Sequence, residues 1–166
     1  MASDRHVVIT GMMGVGKSTT AKVVALSLGL PVRDSDDDIE AVFGQTGAEI
    51  AAEQGIGELH SLEAAVLVGA LGAPEASVIS AAASVIEHAA CRVALSRRSF
   101  VVFLEAPVDE LVLRASTGKH RRTIDRENVV ELVARRTPIF HGQANLILDA
   151  CRPTTELRDE ILRHLH

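Results

Sequence analysis

The sequence has no tryptophan and no tyrosine, and only four phenylalanines among its 166 residues. Proteins that bind single-stranded nucleic acid commonly stack the bases on aromatic side chains. Basic residues are also outnumbered, because 17 lysines and arginines stand against 22 aspartates and glutamates and leave a net charge of −5. Nucleic-acid partners usually require a basic surface. These two deficits argue against a nucleic-acid-binding function.

Cysteines and long apolar segments are scarce as well. Cys91 and Cys151 lie far apart and lack the spacing of metal ligands, so we predict two reduced thiols. No apolar run approaches the roughly 20 residues that a membrane-spanning helix needs. The polar first six residues do not fit a signal peptide. We therefore predict a cytoplasmic protein with no membrane partner.

Strand-like and helix-like segments alternate along the chain, and 47% of the residues are hydrophobic. This pattern predicts an α/β fold with a parallel sheet, in one domain spanning residues 1–166. We expect strands at residues 7–10, 77–80, 100–104 and 146–148. We expect helices at residues 17–28, 84–95, 127–136 and 154–165, two or three short helices within residues 39–71, and a basic loop at residues 116–126. By helical spacing, Arg135 and Arg136 are predicted to lie on the surface.

A glycine-rich motif follows the first strand and precedes the first helix. Residues 11–18 read Gly-Met-Met-Gly-Val-Gly-Lys-Ser, which fits the phosphate-binding pattern G-x-x-x-x-G-K-[ST]. The glycines let main-chain N–H groups surround the phosphates of ATP, and the positive end of the helix dipole faces the same anion. Lys17 should reach the β- and γ-phosphates, and Ser18 should ligate Mg²⁺. The predicted nucleotide-binding residues here are Gly11, Gly14, Val15, Gly16, Lys17, Ser18 and Thr19.

An acidic cluster, residues 34–38, follows residues 31–33, at the end of what should be a further strand between residues 28 and 39. In an open parallel sheet, ligands bind beyond the carboxyl ends of the strands. We assign Asp34 to the metal and Asp36 to the acceptor hydroxyl, which it would orient or deprotonate. Asp37 and Asp38 are better explained as charges in the first turn of a helix.

These features together resemble the shikimate kinase family, within the nucleoside-monophosphate-kinase-like group of P-loop proteins. The resemblance rests on the short phosphate loop and on Asp34-x-Asp36 followed by Ile39-Glu40. It continues through residues 47–52, 63–67 and 138–140. It implies a five-stranded parallel sheet flanked by helices, with substrate-binding helices at about residues 37–72 and a lid at residues 116–127.

The resemblance also implies a reaction and further site residues. The reaction is phosphoryl transfer from ATP, with Mg²⁺, to a ring hydroxyl. Arg122 would be the lid arginine that stabilises the transition state, with Arg121 as the alternative. Arg114 and Arg152 would lie near the adenine.

The departures from the family fall on the substrate side. Two family arginines grip the substrate carboxylate, and our count in register places His60 and His141 at their positions. A neutral histidine cannot form the two parallel bonds of a guanidinium. Three family glycines are replaced by alanines, which add methyl groups and restrict the backbone. The predicted substrate-binding residues are Asp36, His60, Ala81, Ala82, Ala83 and His141.

Three functions remain open. The changed contacts favour a kinase acting on a neutral polyol, cyclitol or sugar-like acceptor. The first alternative is an authentic shikimate kinase, which forms shikimate 3-phosphate, and the second is a non-catalytic nucleotide-binding protein. The two histidines can also be partly exposed surface residues without a role. We expect ATP, ADP and a small hydroxylated substrate as partners, and a monomer or weak dimer.

Overall fold

A parallel five-stranded sheet forms the centre of the computed structural model, which describes residues 5–117 and 125–166. The strands are β1 (His6–Gly11), β2 (Val32–Asp34), β3 (Val78–Ser80), β4 (Ser99–Glu105) and β5 (Leu146–Asp149). Their order across the sheet is β2-β3-β1-β4-β5. The predicted five-stranded parallel α/β fold is therefore confirmed.

Helices cover both faces of the sheet in the described residues. They are α1 (Lys17–Leu28), α2 (Ser35–Phe43), α3 (Gly47–Gln54), α4 (Ile56–Leu71), α5 (Ala89–Arg98), α6 (Val108–Thr117), α7 (Arg126–Gln143) and α8 (Thr154–Leu165). A 3₁₀ helix, Ala83–Glu87, precedes α5. Not one helix of the described ranges combines the length and the apolar character that a bilayer crossing requires.

The central strands are apolar because helices bury them from both sides. All six residues of β1 are buried, and five of the seven residues of β4 are buried. Neighbouring parallel strands with two covered faces read as continuous hydrophobic runs, as the sequence does here. The sheet therefore gives the site a rigid base.

Local signals explain where the helices around the site begin and end. Asp34 is the N-cap of α2 and accepts a hydrogen bond from the main-chain N–H of Asp36. Thr46 and Glu49 form a capping box at the start of α3. Gly29, in the left-handed conformation, ends α1. The predicted two or three short helices are thus three helices, α2 to α4.

Sheet register brings distant segments to one edge. Ser80 lies opposite both Asp34 of β2 and Ile9 of β1. The phosphate loop after β1, the acidic cluster after β2 and the alanines after β3 therefore share the carboxyl edge of the sheet. This edge is where open α/β sheets bind ligands.

Two predicted helices differ from those observed. The helix predicted at residues 84–95 is divided into the 3₁₀ helix and α5. The helix predicted to end at Arg136 continues to Gln143, although Pro138 lies inside it. Proline removes one helical hydrogen bond, but the next turn buries Phe140 against Phe103 with ring centroids 4.6 Å apart.

The segment predicted as a basic loop, residues 116–126, is helical at both of its described ends. Ser116 and Thr117 complete α6, and Arg126 begins α7. Residues 118–124 lie outside the described part of the chain.

Candidate active site

The phosphate loop joins β1 to α1 in a conformation that suits an anion. Gly14 and Gly16 have positive φ angles of 81° and 100°, which side chains with a Cβ rarely adopt. Gly16 is the N-cap of α1, and within the described residues no side chain caps this end and no acidic residue lies in its first turn. The first N–H groups of the helix are thus left for a ligand.

Gly11 and Val15 pack the phosphate loop against β4. A Cβ on Gly11 would lie 2.7 Å from the main-chain oxygen of Leu104 and 2.8 Å from Cγ1 of Val15. Val15 itself is buried. These two residues therefore fix the loop against β4, and neither lines the cavity that contains Lys17 and Asp36.

The Lys17 side chain folds back onto the phosphate loop. Its Nζ donates hydrogen bonds to the main-chain oxygens of Gly11 and Met12, at 2.9 and 3.0 Å. Burial lowers the pKa of Lys17 to about 8, although Asp36 and Asp34 act to raise it. Because both of these hydrogen bonds go to neutral main-chain oxygens, the ammonium is suited to receive phosphate oxygens.

Ser18 and Asp34 lie together at the predicted metal site. The Ser18 hydroxyl donates to Oδ2 of Asp34 at 2.5 Å and lies 3.4 Å from the Ser80 hydroxyl. These are hard oxygen donors, which Mg²⁺ prefers. The described residues contain no cluster of three or more His, Cys, Asp or Glu that could hold a metal. Mg²⁺ needs no such cluster, since substrate phosphates and waters commonly complete its shell. The residues present therefore fit Mg²⁺.

A cavity of about 440 Å³ extends from the phosphate loop to α4 and α7. It brings together most of the predicted site. The predicted residues in its wall are Gly14, Gly16, Lys17, Ser18, Thr19, Asp34, Asp36, His60, Ala81, Ala82, Ala83 and Arg114. Glu63, Ser84 and Arg136 also line it, and none of the three was assigned a role from the sequence.

A larger cavity of about 730 Å³ lies on the other side of the loop, behind Met12 and Val15. The described residues of its wall are mostly apolar and include no lysine or arginine. Phosphate binding needs cations or N–H donors, so the smaller cavity is the candidate active site.

Glu63 lines the smaller cavity, the candidate active site. Its carboxylate accepts a hydrogen bond from the Ser84 hydroxyl at 3.0 Å. Burial raises the pKa of Glu63, and the neighbouring Asp36 raises it further. Its spacing of three residues from His60 on one helix is the sequence signal that would have indicated a shared face.

Arg136 is buried at the end of the cavity beyond His60, which corrects its assignment to the surface. Nε of Arg136 donates to Oε2 of Glu87 at 3.0 Å. Burial lowers the pKa of His60, and Arg136 lowers it further. This end of the cavity thus holds a permanent cation next to a histidine that is neutral at pH 7.

The structure does not bring His141 to this cavity. Its Nε2 lies 3.1 Å from a carboxylate oxygen of Glu105, and its ring packs edge-on against Phe103. Five residues turn a helix by about 500°, so residues 136 and 141 point about 140° apart. Our count from Pro138 therefore selected a residue on the wrong face of α7.

Arg114 ties the phosphate loop to the segment after β5. It donates to the main-chain oxygens of Val15 and Ala150, at 2.9 and 3.0 Å, and to Glu110 at 2.8 Å. Arg152 lies outside the cavity wall and pairs with Glu156. Arg121 and Arg122, the lid candidates, fall outside the described residues.

The three alanines follow β3 without backbone strain, and Ala83 begins the 3₁₀ helix. Ala82 has φ −60° and ψ 147°, and no residue other than glycine has a positive φ in the described part of the chain. The backbone freedom of glycine is therefore not required for the conformation of this segment. The effect of the alanines is reduced to three methyl groups at the cavity.

Comparison with known proteins agrees with this geometry. A family model described as shikimate kinase matches residues 13–166. The shikimate kinase of Rhodopirellula baltica is 32% identical over 168 residues, which span 96% of this chain and 89% of the relative. That of Pseudomonas syringae is 31% identical over 166 residues, spanning 97% and 96%.

Solved structures agree too. A shikimate kinase from Acinetobacter baumannii in complex with shikimate gives a TM-score of 0.90 at 25% identity, covering 99% of this chain and 94% of that chain. A gluconokinase from Sinorhizobium meliloti shares the fold, with a TM-score of 0.69 at 19% identity over 98% of this chain and 91% of that chain.

Proposed function

This chain belongs to the shikimate kinase family, whose members are ATP-dependent phosphotransferases acting on a hydroxyl group, and we propose that its acceptor is shikimate itself. The product would be shikimate 3-phosphate. The observation that carries the proposal is Arg136, a buried guanidinium in the same cavity as Lys17 and Asp36. A carboxylate-bearing acceptor would lie between Arg136 at one end and Lys17 and Asp36 at the other.

Our preference for a neutral acceptor depended on the loss of both family arginines. Arg136, and not His141, lines the cavity, which supports the proposal that one of the two arginines is retained. The relatives named shikimate kinase support the same alternative. The neutral-acceptor hypothesis is thereby weakened.

At the phosphate end, Lys17 and the first N–H groups of α1 would hold the β- and γ-phosphates. Ser18 and Asp34 would hold Mg²⁺, which when bound neutralises charge on the transferring phosphoryl group. Arg114 would hold the phosphate loop in place through its hydrogen bond to the Val15 main-chain oxygen. Arg152 remains a proposed contact near the adenine.

At the acceptor end, Asp36 would orient the attacking hydroxyl and accept its proton. Arg136 would bind the carboxylate with charge-assisted hydrogen bonds, and neutral His60 would add one polar contact. The three alanine methyl groups would contact the ring. Arg122 would stabilise the transition state from the proposed lid, residues 116–127. The proposed substrate-binding helices, at about residues 37–72, correspond to α2 to α4 and would enclose the acceptor as one part of a single P-loop kinase domain.

His60 falls at the position of a family arginine and so replaces a permanent charge. Neutral acceptors should therefore be compared directly with shikimate. A coupled ADP-release assay on shikimate and on neutral cyclitols and sugars separates the possibilities. We expect turnover of shikimate with kcat/KM at least about 100-fold higher, since a carboxylate–guanidinium pair is worth roughly 3 kcal/mol. Turnover of a neutral cyclitol alone would refute the proposal. Tight ATP binding without transfer to any acceptor would favour a nucleotide-binding protein.

A further inference from the structure

Glu87, the last residue of the 3₁₀ helix, is held between two arginines of α7. Its Oε1 accepts a hydrogen bond from Nε of Arg135 at 2.5 Å, and its Oε2 accepts one from Nε of Arg136 at 3.0 Å. The two arginines differ in environment, because the Arg135 side chain is 49% exposed and the Arg136 side chain only 5%. Glu87 therefore connects the surface to the buried guanidinium in the cavity wall.

The bond to Glu87 determines which part of Arg136 remains for a ligand. Within residues 5–117 and 125–166, the guanidinium makes no hydrogen bond other than the one from Nε. Its two terminal nitrogens, Nη1 and Nη2, form the edge that binds a carboxylate through two parallel bonds. Since Nε already has a partner, a ligand in the cavity meets this edge.

The orientation of this one side chain matters more here than in a pocket with two arginines. Among the described residues of the cavity wall, His60 is the other basic group at this end, and its lowered pKa leaves it neutral at pH 7. Lys17 and Arg114 line the phosphate end. A carboxylate at the acceptor end therefore depends on Arg136 for a charged partner.

We propose that Glu87 is a positioning residue for the acceptor carboxylate: by holding Nε of Arg136, it turns the Nη edge towards the cavity. Glu87 acts through Arg136 and does not itself line the cavity. The inference rests on the proposed function, because it takes a carboxylate as the group that Arg136 binds.

Two substitutions of Glu87 and one of Arg135 test the inference. Glu87→Ala removes both bonds, and we expect KM for shikimate to rise about 10- to 100-fold, as for a lost hydrogen bond to a charged group. KM for ATP and kcat should change by less than about threefold. The lost interaction would hold the acceptor equally in the ground state and in the transition state, so its loss raises only KM for shikimate. Glu87→Gln, whose amide oxygen can still accept from Nε, should give a smaller rise.

Arg135→Ala is the matched control. It removes the exposed partner of Glu87 and leaves the Glu87–Arg136 bond in place. We expect KM for shikimate within about threefold of the wild-type value, since exposed ion pairs contribute little. A rise as large as that of Glu87→Ala would overturn the inference, because the outer pair would then matter as much as the inner one.

The carboxamide of shikimate distinguishes positioning from a general structural role. It lacks the charge that the Nη edge recognises, so Glu87→Ala and the wild type should bind it equally. A purely structural defect would weaken shikimate and its carboxamide alike, and that result would overturn the inference. So would an unchanged KM for shikimate in a folded Glu87→Ala protein. If this variant does not fold, Glu87→Gln is measured instead: we expect a smaller rise in KM for shikimate with unchanged affinity for the carboxamide, and equal losses for both ligands would overturn the inference.

Calorimetric binding separates this inference from the proposed function. If the wild type phosphorylates shikimate and Glu87→Ala loses no affinity for it, only the inference fails. If the wild type binds shikimate without phosphorylating it, the proposed function fails, and the ratio of shikimate to carboxamide affinity in the two proteins still decides the role of Glu87. If the wild type does not bind shikimate, both fail.

Discussion

The Ser18 hydroxyl donates a hydrogen bond to Oδ2 of Asp34 at 2.5 Å, which joins the first turn of α1 to the end of β2. The two residues come from different motifs, the phosphate loop and the acidic cluster. Sheet register brings them together, because Asp34 and Ile9 both lie opposite Ser80. The pair lies where the proposed nucleotide and acceptor ends of the cavity meet.

Weakening this pair should raise the Mg²⁺ requirement. Asp34→Asn keeps an oxygen that can cap α2 but removes the charge, so the Mg²⁺ concentration for half-maximal activity should rise about tenfold. Ser18→Ala should act in the same direction. Ser27→Ala is the control, since its hydroxyl bonds only to the Val23 main chain on the exposed side of α1. Equal Mg²⁺ titrations for all four proteins would remove Ser18 and Asp34 from the metal site.

Asp36→Asn should separate nucleotide binding from transfer. The amide cannot accept the hydroxyl proton, so we expect turnover to fall about 10²- to 10⁴-fold. The ATP dissociation constant should stay within about threefold, measured by calorimetry. Asp37→Asn changes the next, exposed carboxylate of the same helix and should leave both quantities near the wild-type values. A strong loss of ATP affinity in Asp36→Asn would contradict the assigned role.

His60→Arg should improve shikimate binding, and His141→Arg should not. A guanidinium at residue 60 would add a second permanent cation beside Arg136, so KM for shikimate should fall about tenfold. His141 lies outside the cavity and next to Glu105, and its replacement should change KM by less than about twofold. The opposite ranking of the two variants would show that the cavity has been misassigned.

ATP binding above pH 8 should take up a proton. Burial lowers the pKa of Lys17 to about 8, so at pH 8.5 most of the free protein carries a neutral amine. Phosphates favour the charged form and draw a proton onto Nζ. Calorimetry at pH 8.5 in two buffers of different ionisation enthalpy should detect this uptake. Affinity should weaken as pH rises further, and binding without proton uptake would contradict the argument.

The same lowered pKa has a consequence for the stability of the free protein. Between pH 8 and the ordinary lysine pKa of 10.5, the unfolded chain retains the Lys17 proton and the folded chain has lost it. The contribution of this group to the free energy of unfolding therefore increases with pH across that window. Lys17→Met should remove this increase in denaturation experiments, relative to the wild type.

Gly11→Ala should destabilise the fold, whereas Gly69→Ala should not. At residue 11 the added methyl would meet the Leu104 main chain and Val15 at under 3 Å, so we expect a loss of about 1–3 kcal/mol. Gly69 lies exposed within α4 and has nothing within 4 Å of an added Cβ, so alanine should stabilise by about 0.5–1 kcal/mol. Urea unfolding of both variants measures the difference, and equal stabilities would contradict it.

Two predictions from the sequence, for Arg136 and His141, were wrong for the same reason. Arg136 was assigned to the surface and His141 to the substrate, because a count along the chain does not fix the rotation of a helix. Glu63 was recognised as part of a substrate-side helix, but its proximity to Ser84 depends on how α4 packs against the 3₁₀ helix. Arg136 and Glu87 are 49 residues apart, and only the fold brings them together.

The sequence by itself determined the features that consecutive residues specify: the phosphate loop, the acidic pair after β2, the alternation of strands and helices, and the family. These follow from backbone conformation and short spacing, which the order of residues controls directly. Only the tertiary structure decided which side chains of α4 and α7 face the cavity. That choice depends on helix packing against the sheet, where burial of residues such as Phe140 fixes the rotation of each helix.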